Sequence, residues 1–231
     1  MRFKIMNKEV NIFKRKFNKI VDECQRFCYM TRAKEFQLEA LERLNSLKKE
    51  SIALKEKVIA QKDEDSANAM LSFEEMTNAL INELNMWIAL KDDNPDLAWD
   101  YLVEAQGAAR HAMQSHDVAN HLDDYVERLH ILEVLLFPPQ HFLSPGMIVK
   151  QHVCSICGQD YDDCSHIKGK TYMGKMCVRV IKEAELKEVS FTPDPANKHS
   201  RIFEIDDGGV KRDTMTWSII SDTSVKEEDS R

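Results

Sequence analysis

Residues 137–166 read FPPQHFLSPGMIVKQHVCSICGQDYDDCSH, and the character of the chain changes within them. Phe137-Pro138-Pro139 ends any helix that reaches it, because proline lacks the amide donor and disfavours helix in the residue before it. Pro145-Gly146 is turn chemistry, and Met147 to Val153 follow as a short β-branched stretch. A C-x2-C-x6-C-x-H pattern comes next, formed by Cys154, Cys157, Cys164 and His166. We therefore place a boundary between Phe137 and Gly146 and expect an α+β fold. Residues 1–140 form an all-helical bundle or long helical hairpin, 146–206 a small zinc-stabilised β-rich module, and 207–231 a flexible tail.

Upstream, the periodicity is helical. Leu41, Leu44, Leu47, Ser51, Leu54 and Val58 alternate steps of three and four, so residues 36–62 carry a coiled-coil-like stripe. The polar run Lys62-Asp63-Glu64-Asp65-Ser66 breaks it. Ser72 with Glu75 has the spacing of a capping box and predicts the next helix start. Phe73, Met76, Leu80, Leu84, Trp87 and Ile88 then make one apolar face, which stops at Lys91-Asp92-Asp93. Asn94-Pro95 predicts another start, followed by Leu97, Tyr101, Leu102, Ala105, Ala108, Ala109 and Ala112, a stripe small enough for close helix approach. A last helix is expected from Val118 to Leu136. Downstream, Thr171 to Ile181, Glu188 to Thr192 and Arg201 to Ile205 read as strands. Trp217, Ile219 and Ile220 stand as an apolar island in the polar tail, either a packed terminal strand or a docking peptide.

The cysteine spacing carries the strongest chemistry. A C-x2-C turn brings two thiolates into one small volume, and Cys164 with His166 supplies two further donors. Zinc takes such thiolate and imidazole sets as a tetrahedron, and four protein ligands leave no corner open for catalysis. Binding of ~10–16 kcal/mol then supplies what a short β module lacks in burial. Cys177 is the alternate fourth ligand to His166; as the simpler account, it is a small buried side chain in a strand.

The segment CSICGQDYDDCSHIKGKTYMGKMC, followed by LKEVSFTPDPANKHSRI, resembles the zinc-containing end of phage prohead-protease-like proteins over residues 147–205. In that family the catalytic histidine and serine lie on strands upstream. Here that region reads as helices, so the resemblance implies a reused zinc module and no catalytic role for Ser190. A phage-related or antiviral-defence setting follows from the resemblance alone.

Composition bounds the remaining readings. The chain has 231 residues, 43% hydrophobic and 31% charged, with seven glycines and six prolines. No apolar run approaches the ~20 residues of a bilayer span, and the basic N-terminal stretch lacks an apolar signal-peptide core. We expect no membrane partner and, from six cysteines without a signal peptide, a reducing, cytoplasmic location, where clustered cysteines bind metal rather than pair. The net charge of -7 hides an asymmetry: residues 1–50 carry 13 Lys/Arg against 7 Asp/Glu, and residues 51–140 carry 6 against 17. Nucleic acid would bind through the basic residues of 1–50, where Lys14, Arg15, Lys16, Lys19 and Arg26 interleave with Phe13, Phe17 and Phe27, or through Lys168, Lys170, Lys175, Arg179 and Lys182 in 168–182.

Weaker constellations read as structural. Glu127-x-x-His130 is a single element where a di-iron bundle needs two. His111, His116 and His121 recur every five residues and rotate around a helix. Cys24 and Cys28 lack a histidine to complete a site. No phosphate-binding glycine loop or nucleophile elbow occurs. The expectation is a non-enzymatic accessory or adaptor subunit that binds a protein partner, or itself, through its helices. A nucleic-acid-binding zinc module and a divergent prohead-protease-like hydrolase are the alternatives.

Overall fold

The computed structural model describes residues 7–220, and the fold is α+β. Five helices come first: α1 (Lys8–Cys24), α2 (Lys34–Ala60), α3 (Glu64–Lys91), α4 (Pro95–Ser115) and α5 (Asp123–Leu136). Six strands follow as three antiparallel pairs: β1 (Phe142–Cys154) with β4 (Arg179–Thr192), β2 (Thr171–Tyr172) with β3 (Lys175–Met176), and β5 (Glu204–Asp207) with β6 (Val210–Asp213). No helix among the described residues is long and apolar enough to cross a membrane.

Short links fold the helices back on one another. Ion pairs Glu9–Lys57, Lys16–Glu50 and Glu23–Arg43 run in opposite residue order along α1 and α2, which makes that pair antiparallel. Lys34–Asp92 and Lys55–Glu74 do the same for α2 and α3. The stripe expected over 36–62 is therefore covered within the chain, with Leu44, Leu47, Ser51 and Val58 buried. Phe13 and Phe17 turn inward onto Phe73, whereas Lys16 faces out to Glu50. Asn94 accepts from the Leu97 amide and Pro95 occupies the first turn of α4, as the sequence predicts. Ala105, Ala108, Ala109 and Ala112 are buried along its inner face.

Several expectations are corrected. Ser72 caps nothing: α3 starts at Glu64, Asp63 accepts from the Ser66 amide, and Ser72 is buried and donates to Ala112 O of α4 at 2.9 Å. The helix expected from Val118 breaks into a 3-10 turn at Asp117–Ala119 and then α5. The strand expected from Thr171 to Ile181 is cut by a turn at Met173-Gly174, where both residues have positive φ, the conformation that closes two-residue hairpins. Strand β1 begins at Phe142 and runs through Pro145-Gly146, so the β module starts before residue 146.

The flexible tail expected from 207 is also corrected over 207–220. Gly208 and Gly209, at φ 64° and 91°, close the β5–β6 hairpin, and Met215 is buried in the same core as Trp99, Phe137 and Phe142. Trp217 is half exposed beneath the Arg212 guanidinium, and Ile219 bridges to Arg212 as a short third partner of the hairpin. The remainder of that expected tail lies outside the described residues.

Candidate metal centre

The module is held to the helices at two places, and the cysteine cluster lies beside one of them. Strand β1 delivers Cys154 at its end. The Cys154 amide donates to Gln159 O at 2.9 Å, and the Gly158 amide donates to Cys154 O at 2.8 Å, with Gly158 at φ 73°. This tight turn carries Cys157 back beside Cys154 and aims the Ile156 amide at the Cys154 sulfur, 3.4 Å away. The next loop, with Cys164 and His166, is fixed by two tyrosines. Tyr161 Oη accepts from the Lys168 amide at 2.8 Å, and Tyr172 Oη accepts from the Ile167 amide at 3.0 Å. The Tyr172 ring also stands edge-on to the His166 imidazole, 4.7 Å between centroids.

One ligand atom each from Cys154, Cys157, Cys164 and His166 lies within 4.8 Å of all the others, so the four form a cluster that could hold a metal ion. The donor set fits one: His166 Nδ1 is buried with no hydrogen-bond partner, a costly state for a ring nitrogen unless something else satisfies it. Cys177 is fully buried and adjoins the cluster, its sulfur 3.7 Å from Cys154 Sγ. Two thiolates on one zinc at ~2.3 Å stand about 3.8 Å apart at the tetrahedral angle, so distance alone does not separate a ligand from a hydrogen-bonded neighbour.

The thiols oppose one another's ionisation. Burial pushes the Cys154 thiol up, but the amides of Cys157 and Ile156 and the thiols of Cys164 and Cys177 together outweigh it and bring its pKa down to about 6. Burial and then the Cys154 sulfur push Cys177 up to about 11, and burial likewise raises Cys164. Anionic sulfur concentrated in so small a volume is an arrangement that a bound divalent cation relieves.

Sequence reasoning missed the residues that support this centre. Asn68 of α3 accepts from the Gly174 amide at 2.8 Å and donates to Thr171 O at 3.4 Å, tying the β2–β3 hairpin to the bundle. A Cβ at Gly174 would lie 3.1 Å from Ala67 O. No local signal links residues 106 positions apart. His152, Asp160 and Asp162 form a second small group beside the first, with His152 Nε2 3.3 Å from Asp162 Oδ1; the Asp-Tyr-Asp run after the C-x2-C was its only trace in the sequence.

The other candidates fall elsewhere. Cys24 and Cys28 are buried in the helical core, and burial raises both thiols. His130 lies beside Arg110, and His116 Nδ1 accepts from the Val118 amide. Ser190 sits on the exposed β4 opposite Ser144. Lys168, Lys170, Lys175, Arg179 and Lys182 are all exposed around or just beyond the cluster. A scan against protein-family models and comparisons with curated proteins and with solved structures found no match to this chain.

Proposed function

We propose that the protein is a non-enzymatic adaptor whose β module is fixed in shape by one structural zinc ion on Cys154, Cys157, Cys164 and His166. The carrying observation is that these four donors converge while His166 Nδ1 is buried and unpartnered. Four protein ligands close the coordination shell, which favours a structural over a catalytic ion. Cys177 then serves as an S–H donor to the Cys154 sulfur. Through Asn68 and Gly174 the filled centre would stiffen the contact between module and bundle, and the module presents a rigid surface to a protein partner in a reducing, cytoplasmic setting.

Metal analysis of the purified protein tests this. One zinc per chain is expected, absent from Cys157→Ser and His166→Ala and retained by Cys177→Ser, with loss of protease resistance beyond residue 140 in the two metal-free variants. Zinc lost from Cys177→Ser and kept by His166→Ala would give a four-cysteine site instead. A metal-free wild type with an intact module would end the proposal.

The exposed Lys168, Lys170, Lys175 and Arg179 support a second reading, contact with a phosphate backbone beside the metal loop. It requires binding to a nucleic-acid duplex or single strand that falls steeply with salt; absence of a gel shift at low salt excludes it.

A further inference from the structure

Strand β4 runs for 14 residues and, among the described residues, pairs on one side only, with β1. Its side chains are exposed almost throughout, and Ile181, Leu186, Val189 and Phe191 are each between 47% and 63% accessible. A two-stranded ribbon is marginal on its own, and its free edge is a template for another strand. Scattered lysines ordinarily protect such an edge. Here they alternate with glutamates, and the segment Ile181-Lys182-Glu183-Ala184-Glu185-Leu186-Lys187-Glu188-Val189 is complementary to itself when reversed.

Laid antiparallel against a second copy and centred on Glu185, Ile181 faces Val189, Lys182 faces Glu188, Glu183 faces Lys187 and Ala184 faces Leu186. Each pair occurs twice by symmetry. Directly opposed charges of opposite sign and opposed apolar residues are the units of strand pairing. Neighbouring registers fail this test. Centring between Ala184 and Glu185 opposes Lys182 to Lys187, centring between Glu185 and Leu186 opposes Glu183 to Glu188, and centring on Leu186 keeps a single kind of ion pair. The one like-charge contact in the favoured register is Glu185 with itself. Lys150 Nζ lies 3.5 Å from the Glu185 carboxylate and Lys187 also contacts it, so neighbouring cations screen that contact. Lys182 and Lys187 are the two residues skipped in the pairing of β4 with β1, so each lies at a bulge that the proposed register has to accommodate.

We propose that β4 pairs with β4 of a second copy, antiparallel about Glu185, to give a four-stranded sheet in the order β1-β4-β4-β1. A two-fold pairing of one edge with itself is closed, which stops the ribbon from growing into a filament. The inference goes beyond the adaptor reading and does not depend on the metal.

Sedimentation equilibrium of the full-length protein over a range of concentrations tests it. A dimer is expected for the wild type. Lys187→Glu turns two symmetry-related ion pairs into like-charge pairs and is expected to weaken association roughly tenfold. Glu183→Lys does the same from the other side, the double variant Glu183→Lys/Lys187→Glu restores it, and Glu185→Gln tightens it by removing the contact at the two-fold axis. Because the substituted side chains are exposed, circular dichroism is expected to show every variant folded. A wild type that stays monomeric at all concentrations, or a dimer that ignores Lys187→Glu or is not restored by the swap, overturns the proposal and leaves the zinc reading untouched.

Discussion

Glu83 has no exposed surface, and it sits in the middle of α3 with a charge to satisfy. Arg128 of α5 meets it with both guanidinium arms, Nη1 to Oε1 at 2.6 Å and Nη2 to Oε2 at 2.7 Å, and Tyr125 Oη donates to Oε2 at 3.0 Å. Burial first, and the adjoining carboxylate second, keep the Cys28 thiol and the Tyr125 phenol protonated well past their ordinary ranges. Such a pair contributes little against an apolar replacement, yet losing one partner strands the other. Arg128→Met is therefore expected to cost about 3 kcal/mol, the low end for a broken buried pair because the Arg128 side chain is itself partly exposed and Tyr125 remains. Glu83→Leu in the same chain should recover much of that loss. Urea denaturation followed by circular dichroism measures both, and a single-variant loss below about 1 kcal/mol would mean that water satisfies Glu83 once the arginine is gone.

At the scale of elements, Ser72 shows why a correct residue pattern yielded a wrong role. Serine with glutamate three positions on is a start signal only where the preceding backbone leaves the helix. Here Glu64 to Leu71 are already helical, and the start belongs to Asp63. Ser72 instead serves α4: Ala112 lies in the last turn of that helix, where carbonyls lack a following amide, and the Ser72 hydroxyl donates to it. Asp63→Ala is expected to cost about 1 kcal/mol and to raise hydrogen exchange at residues 64–67. Ser72→Ala should leave that turn protected and loosen residues 112–116. Fraying of 64–71 in Ser72→Ala would restore the capping role. The same contrast marks what the sequence made legible. Helix periodicity, the Asn94-Pro95 start, the proline stop after Phe137 and the clustering of Cys154, Cys157, Cys164 and His166 are local patterns, and local physics produces them. Asn68 against Gly174, the hairpin at Gly208-Gly209 that brings Met215 home, and the choice between His166 and Cys177 depend on partners distant in the chain or on angles that spacing does not encode.

At the scale of the molecule, the β module is clipped to the bundle at opposite ends of its ribbon. One clip is the metal-side contact of Asn68 with the β2–β3 hairpin. The other gathers the segment 198–201 onto α4 and α5. Trp99 Nε1 donates to Lys198 O at 3.2 Å, Lys198 Nζ reaches both oxygens of Glu133 at 2.6 Å, and His199 bridges Asp100 and Glu104. Arg201, almost wholly buried, contacts Asp96 and bonds Gln140 and Thr214 at 3.2 Å each. Two acids here respond to pH. Burial raises the Glu133 carboxyl, but Gln106 and Lys198 outweigh it and hold its pKa below the ordinary 4.5. Burial likewise raises Asp213, and the Thr216 amide and hydroxyl with the Met215 amide bring it below 3.8. A depressed folded-state pKa stabilises the native form above the unfolded value and loses that contribution as pH falls through the folded one. Stability from Glu133 is thus complete above pH 4.5 and that from Asp213 above pH 3.8, each disappearing as the pH is lowered further. The second clip should open on acidification while the helical bundle persists, read as faster hydrogen exchange at Leu143 and Ile202, whose amides donate to Ser200 O and His141 O. Protons also compete for the metal ligands, so Glu133→Gln separates the two effects. That variant keeps every cysteine, His166 and Asp213, and it should exchange faster at neutral pH and lose the part of the acid dependence at these two amides that Glu133 sets. An unchanged profile in Glu133→Gln would remove Glu133 from the clip and leave Asp213 and the metal centre as the sources of the acid response.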